Sequence, residues 1–175
     1  TEYEYTKYCN ELDAFLYYKR YNMCNNLGMR FFSIYGYNEL HKGKYANLVS
    51  QFLWAMEKGE RPILYGDGEQ SRDFVWIEDL CKVIEMLMSH CRTDIVNIGS
   101  GKSVSLNELV QTINDVLGTN IEPVYIDNPI KDYIQNTKAD TEKLKWIIDY
   151  VPNTSLHEGI EKLVKRKTLN SRADL

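Results

Sequence analysis

Tyr3 and Lys7 lie four residues apart, so on a helix they stand one turn apart on the same face. An ammonium group so placed favours the phenolate and lowers the phenol pKa from its usual value of about 10. A phenolate is a competent base for a sugar or alcohol hydroxyl. With 13 tyrosines and 21 lysines and arginines in 175 residues, about one such pair arises by chance, so the spacing also reads as an incidental surface pair. Arg72 follows the turn Gly66-Asp67-Gly68 and precedes the apolar run Phe74-Val75-Trp76-Ile77. Its guanidinium can grip a phosphate through two parallel hydrogen bonds, or it can form a surface Arg72–Asp73 turn of little energetic value. Gly99-Ser100-Gly101 either lets a ligand approach the backbone closely or is a plain turn. Phe31, Phe32, Phe74 and Trp76 read as core rather than as a ligand stack. Lys162, Lys165, Arg166 and Lys167 read as the positive end of a helix, where they suit its dipole.

Other chemistries find little support. Cys9, Cys24, Cys81 and Cys91 have no zinc spacing, and His41, His90 and His157 are scattered, so no metal is expected. Three of the cysteines fall in expected helices and read as free buried thiols. The formal net charge of −4 argues against a nucleic-acid partner, and no apolar run approaches a membrane span. The opening Thr1-Glu2-Tyr3-Glu4-Tyr5 does not read as a signal peptide, so the sequon at Asn153 carries little weight, and the chain is expected to be cytoplasmic.

The elements that must position these residues alternate between helix and strand, which gives an α/β class. A helix is expected from Tyr3 to about Asn26, stopped by Gly28, and then one buried strand, Met29 to Tyr35. Tyr37 to Lys44 reads as a polar loop. A second helix carries the stripe Tyr45, Leu48, Val49, Phe52, Leu53 and Met56 and ends at Gly59. Ile63–Tyr65, Ile95–Ile98 and Val124–Ile126 are strand-like, Phe74–Ile77 is an apolar run, and a third helix begins near Asp79. Capping boxes at Ser105/Glu108 and Ser155/Glu158 open two further helices, and the residues after Lys167 read as a frayed polar tail. A glycine-rich strand-to-helix phosphate loop, usual after the first strand of an α/β nucleotide-binding fold, is not seen. That suggests a missing N-terminal half, as does a start at Thr1 directly into a helix.

In order, the chain carries Tyr3-x-x-x-Lys7, Arg30-Phe31-Phe32-Ser33-Ile34-Tyr35-Gly36, Tyr65-Gly66-Asp67-Gly68 and Arg72-Asp73-Phe74-Val75-Trp76-Ile77-Glu78-Asp79. Asn97-Ile98-Gly99-Ser100-Gly101, Ala139-Asp140-x-x-Lys143 and Ser155-Leu156-x-x-Gly159-Ile160 follow. This series, from Tyr3 to about Lys165, resembles the C-terminal half of extended short-chain dehydrogenase/reductases. Within them it looks most like NAD-dependent nucleotide-sugar epimerases and dehydratases of the UDP-glucose 4-epimerase type. The resemblance implies a partial NAD-binding Rossmann-type unit (1–36 and 77–99), a smaller substrate domain (37–76 and 100–167) and a tail (168–175). It implies Tyr3 as catalytic base, with Lys7 holding the nicotinamide ribose and lowering the tyrosine's pKa. Phe32 and Ser33 join them at the cofactor. Ser33, Asn47, Leu48, Arg72, Lys131 and Tyr133 would meet the nucleotide sugar. Ser33 stands where asparagine is common and Tyr37 where proline is. Lys131 stands where a second arginine is common, and it offers no bidentate grip. His41-Lys42-Gly43 and Tyr133-x-Gln135 also resemble heptose-nucleotide epimerases.

The implied reaction transfers hydride from the sugar to bound NAD and back to the opposite face of a keto sugar, with Tyr3 moving the proton. Dehydration or decarboxylation by the same family, and a non-catalytic sugar-nucleotide-binding or interaction module, are the alternatives. The chain alone is expected to bind NAD poorly and to turn over nothing. Apolar surface is expected on the first helix and on the Met29–Tyr35 strand. A homodimer of the full-length protein is expected, with Leu12, Phe15 and Leu16 serving either that interface or the core.

Overall fold

The computed structural model describes residues 1–22, 26–90 and 93–173. The readings made for Cys24 and Cys91 lie outside the described residues. Helix α1 (Glu2–Tyr21) opens on a reciprocal capping box between Thr1 and Glu4 and closes on Asn22 in the left-handed conformation (φ 50°). Gly28 is therefore not its stop. It lies within β1 (Leu27–Phe31), where a Cβ would stand 3.4 Å from Ile95. Helix α1 buries no residue. Tyr3, Tyr5, Tyr8, Leu12, Phe15 and Leu16 are all exposed. A bidentate ion pair ties the helix to the sheet, with Arg30 Nε and Nη2 donating to Glu11 Oε1 and Oε2 at 2.6 and 2.7 Å. Asn26 Nδ2 also donates to the Ala14 carbonyl at 2.9 Å.

The single strand expected from Met29 to Tyr35 is two strands. β1 pairs in parallel with β6 (Asp94–Ile98), whereas β2 (Ser33–Tyr35) pairs in parallel with β5 (Phe74–Trp76). The chain changes partners at Phe32, whose amide donates to the Ile98 carbonyl at 3.1 Å. The next amide, of Ser33, donates to the Asp73 carbonyl at 2.9 Å. Apolar residues lie on both sides of the break, at Phe31, Phe32 and Ile34, so hydrophobic periodicity does not mark it. Phe31 is exposed, whereas Tyr35 at the other end is buried.

A 3-10 helix (Leu40–Tyr45) occupies part of the expected loop, and α2 (Leu48–Glu57) starts three residues later than Tyr45. The side chain of Asn47 sets that start by accepting from the Val49 amide at 3.0 Å. Two short strands, β3 (Ile63–Tyr65) and β4 (Ser71–Arg72), precede β5. Helix α3 (Ile77–Met88) begins at Ile77, two residues ahead of Asp79. Asp79 is not its cap: the carboxylate accepts from Tyr150 Oη and from the amides of Asn153 and Thr154.

After β6 come β7 (Val104–Ser105), antiparallel to β4, and α4 (Leu106–Leu117), which is capped by Ser105 and ended by Gly118 at φ 66°. β8 (Val124–Ile126) pairs in parallel with β3. The short α5 (Glu142–Ile148), which the sequence did not announce, buries Leu144 and Ile148. Helix α6 (Leu156–Ala173) continues through the segment expected to fray. Ser155 caps it by accepting from the Glu158 amide at 3.2 Å.

Two packed clusters result. One joins Tyr35, Phe74 and Trp76 to the buried faces of α2 and α4 and to Ile160 of α6. The other joins Leu80, Val83 and Leu87 of α3 to Val96 and Ile98 of β6 and to Leu144 and Ile148 of α5. Among the described residues, no helix is long and apolar enough to cross a membrane.

Candidate active site

Tyr3, Lys7 and Glu11 recur every fourth residue and form one stripe of α1. All three line an open cleft of about 1000 Å³ whose far wall is β1 and β6, including Gly28, Phe31 and Asn97. Lys7 Nζ stands 5.2 Å from the centroid of the Tyr3 ring. Lys7 has no carboxylate partner among the described residues, whereas Glu11, one turn further on, is taken by Arg30. The hydrogen bonds from Arg30 hold the Glu11 carboxyl below the usual glutamate range against a smaller opposing effect of burial. Phe31, expected in the core, is instead half-exposed along this cleft.

Ser33 and Asn47 meet directly, Asn47 Nδ2 donating to Ser33 Oγ and to the Ile34 carbonyl, each at 2.9 Å. With its oxygen capping α2, the Asn47 side chain is committed to the fold except for a second lone pair. Ser33 keeps its hydroxyl hydrogen to give. The half-buried side chain of Leu48 packs against the larger cluster, and Val49 and Ser50 beside it are buried. Phe32 is half-buried at the strand break.

Arg72 is not in a surface turn with Asp73. Asp73 is fully buried, while Arg72 is half-buried and points the other way along the chain. Its Nη1 donates to the Ser71 carbonyl at 2.8 Å and to the Gln135 carbonyl at 3.0 Å, and its guanidinium lies 5.2 Å from the Tyr133 ring centroid. Tyr65 braces Tyr133 edge-on at 6.0 Å. The Nε–Nη2 edge of Arg72 has no partner among the described residues, and that edge is the one that takes two oxygens side-on. Lys131 is exposed on the loop that carries Tyr133.

The three groups are joined through the backbone. Phe31 lines the Tyr3 cleft, Ser33 is two residues on, and the Ser33 amide bonds the carbonyl beside Arg72. No direct contact links Tyr3 or Lys7 to Arg72. Gly99 serves the fold: a Cβ there would stand 2.2 Å from that of Ala139, so the close approach is by the chain itself. Tyr37 packs edge-on against Trp76 at 4.9 Å, with Arg166 4.1 Å over its ring. Lys162, Lys165 and Arg166, expected at a helix end, lie in the middle of α6, which runs on to Ala173, so they do not serve its dipole; Lys162 instead lies 3.5 Å from Glu78. Cys81, expected buried, is exposed. Sequence reasoning missed Gln135 and the bracing role of Tyr65. A main-chain carbonyl acceptor leaves no signal in residue type, whereas Tyr65 sits in a motif already singled out.

Parallel strand pairs backed by helices, with a Tyr–Lys stripe over one cleft, place the chain in the Rossmann-type α/β class. It belongs to the NAD dependent epimerase/dehydratase family, whose pattern matches residues 1–99. A relative from Methanocaldococcus jannaschii, named "Putative UDP-glucose 4-epimerase", is 33% identical over 170 residues, covering 97% of this chain and 54% of the relative. The UDP-glucose 4-epimerase of Thermotoga maritima, solved with UDP-glucose, superposes with a TM-score of 0.81 at 29% identity, over 93% of this chain and 52% of that one. The UDP-N-acetylglucosamine 4-epimerase of Methanobrevibacter ruminantium, solved with UDP-N-acetylmuramic acid, gives 0.86 at 28%, over 97% and 54%. The chain thus spans about half the length of the relatives it matches.

Proposed function

We propose that the chain carries the tyrosine–lysine pair and the nucleotide-sugar pocket of an NAD-dependent epimerase that works by transient hydride transfer through a keto sugar. The observation that carries this is the Arg72 guanidinium, pinned at Nη1 by two backbone carbonyls and open along Nε–Nη2. That edge suits a diphosphate, with the Tyr133 ring beside the guanidinium, and Lys131, Ser33, Asn47 and Leu48 would meet the rest of the nucleotide sugar. The cofactor end fits as far as this chain reaches. Lys7 lies over the Tyr3 ring and has no carboxylate partner among the described residues, so its ammonium can donate to ribose hydroxyls, with Phe32 and Ser33 completing that side. Bound NAD would supply the hydride acceptor and donor. Tyr3 Oη takes the proton of the sugar hydroxyl and later returns it, while Arg72 holds the diphosphate as the keto sugar presents its other face.

On this reading 1–36 and 77–99 belong with the NAD-binding unit, and 37–76 with 100–167 form the substrate domain, followed by the tail 168–175. The two packed clusters follow that division only in part, since Tyr35 packs with the second group of segments and Leu144 and Ile148 of α5 pack with α3 and β6. The exposed Leu12, Phe15 and Leu16 would serve a homodimer of the full-length protein, which is placed in the cytoplasm. The test is an assay of that protein against UDP-, GDP-, dTDP- and ADP-sugars. Tyr3→Phe is expected to lower turnover about a hundredfold or more while leaving sugar-nucleotide binding intact. The isolated chain is expected to turn over nothing, and epimerisation by it would refute the reading.

A further inference from the structure

Asp73 has no exposed surface and no cationic partner among the described residues. A buried carboxylate is tolerated only when its oxygens are fully hydrogen-bonded. Here Oδ1 accepts from the amide and hydroxyl of Ser100 at 2.8 and 2.7 Å. Oδ2 accepts from the amides of Gly101 and Ala139 at 2.9 and 3.0 Å.

These bonds matter because of the segment they hold. The stretch from Gln135 to Ala139 runs beside β4 like one more strand. Its rungs are Ser71 N to the Gln135 carbonyl at 2.8 Å and Thr137 N to the Ser71 carbonyl at 3.1 Å. The next rung would use the carbonyl of Asp73, but that oxygen is already taken by the Ser33 amide. The carboxylate replaces it and receives the Ala139 amide instead. One residue therefore holds two neighbours at once: its main chain holds the Ser33 strand, and its side chain holds the segment whose Gln135 carbonyl pins Arg72 and which carries the Tyr133 ring.

We infer that Asp73 is the positioning residue of the Arg72 subsite, setting the free guanidinium edge for a nucleoside diphosphate through the segment from Tyr133 to Ala139. The inference rests on the nucleotide reading of Arg72 given above. Asparagine cannot substitute, because its amide nitrogen would face backbone donors that need an acceptor.

The test measures UDP affinity by calorimetry in the full-length protein and in Arg72→Ala, Asp73→Asn, Ser100→Ala and the double variants with Arg72→Ala. Asp73→Asn is expected to weaken UDP about tenfold or more and Ser100→Ala about threefold. Both effects should shrink below about twofold once Arg72 is absent. Wild-type affinity in a folded Asp73→Asn, or equal losses with and without Arg72, overturns the inference. Should Asp73→Asn fail to fold, Ser100→Ala decides by the same criterion. Should the wild type not bind UDP, the nucleotide reading fails. Asp73 is then judged by the Arg72 Nε–H resonance, which must move in Ser100→Ala if it positions Arg72 and stays put if it does not.

Discussion

Gly159 stands against the buried ring of Tyr35. A Cβ there would lie 2.0 Å from Tyr35 Oη, 2.8 Å from Cζ and 3.0 Å from Cε2. Tyr35 is 1% exposed and fixed edge-to-face by Phe74 at 6.3 Å and Trp76 at 5.4 Å, so the ring has nowhere to retreat. Gly159→Ala gains about 1 kcal/mol of helix propensity in α6. Overpacking at such distances costs about 3 kcal/mol, the upper end of the usual range. Overpacking wins, and the variant should be about 2 kcal/mol less stable, with a Tm about 4–8 °C lower for a chain of this size. Tyr35 Oη has no hydrogen-bond partner among the described residues, so Tyr35→Phe should stabilise by about 1 kcal/mol. It also removes the worst contact, so Gly159→Ala in that background should lose only about half as much. Urea unfolding of the four proteins, followed by circular dichroism, reads the coupling. A neutral or stabilised Gly159→Ala, or a cost unchanged by Tyr35→Phe, would refute the argument.

Two further predictions concern pH. The Glu11 carboxyl is held below its usual range by Arg30, so the tether of α1 is intact at neutral pH and is lost as pH falls through that lowered pKa. The acid limb of the 222 nm signal should therefore differ between wild type and Glu11→Gln, and superimposable curves would count against the tether. Burial, then the hydrogen bond and charge of Asp79, push the Tyr150 phenol up to about 12. Burial, with Asp79 and Glu158, raises Tyr35 as well. The fold disfavours both phenolates, so stability holds below about pH 10, where both rings are neutral in either state, and declines as pH rises further. Absorbance at 295 nm should show these two of the 13 tyrosines ionising last, and Tyr150→Phe should remove part of the late phase.

The amphipathic stripes of α2, α3 and α4 were legible because each buries one face at helical spacing, and Ser105, Ser155 and Gly118 cap as their types suggest. Asn22 and Asn47 overrode expectations from Gly28 and Tyr45, because a local amide or left-handed cap decides a helix end more strongly than the next glycine or apolar residue. Helix α5 is seven residues long, too short to display a period, and the break at Phe32 depends on which distant strands are available. In the candidate site, residue types named Tyr3, Lys7 and Arg72, but not the carbonyls that pin Arg72 or the burial of Asp73. Both depend on the segment from Gln135 to Ala139, which lies more than sixty residues away in sequence.

The partner change at Phe32 has a consequence for how this chain can vary. One register, Phe31 with Ile98, ends there, and another, Ser33 with Phe74, begins. Adding or removing a residue at this seam would slide one ladder relative to the other and turn the side chains of one strand to the opposite face. The loops after Gly36 and before Tyr133 carry no such double bookkeeping. Length changes among descendants of this sequence should therefore collect in those loops, while the spacing across Phe31, Phe32 and Ser33 is kept as strictly as any residue identity in the site.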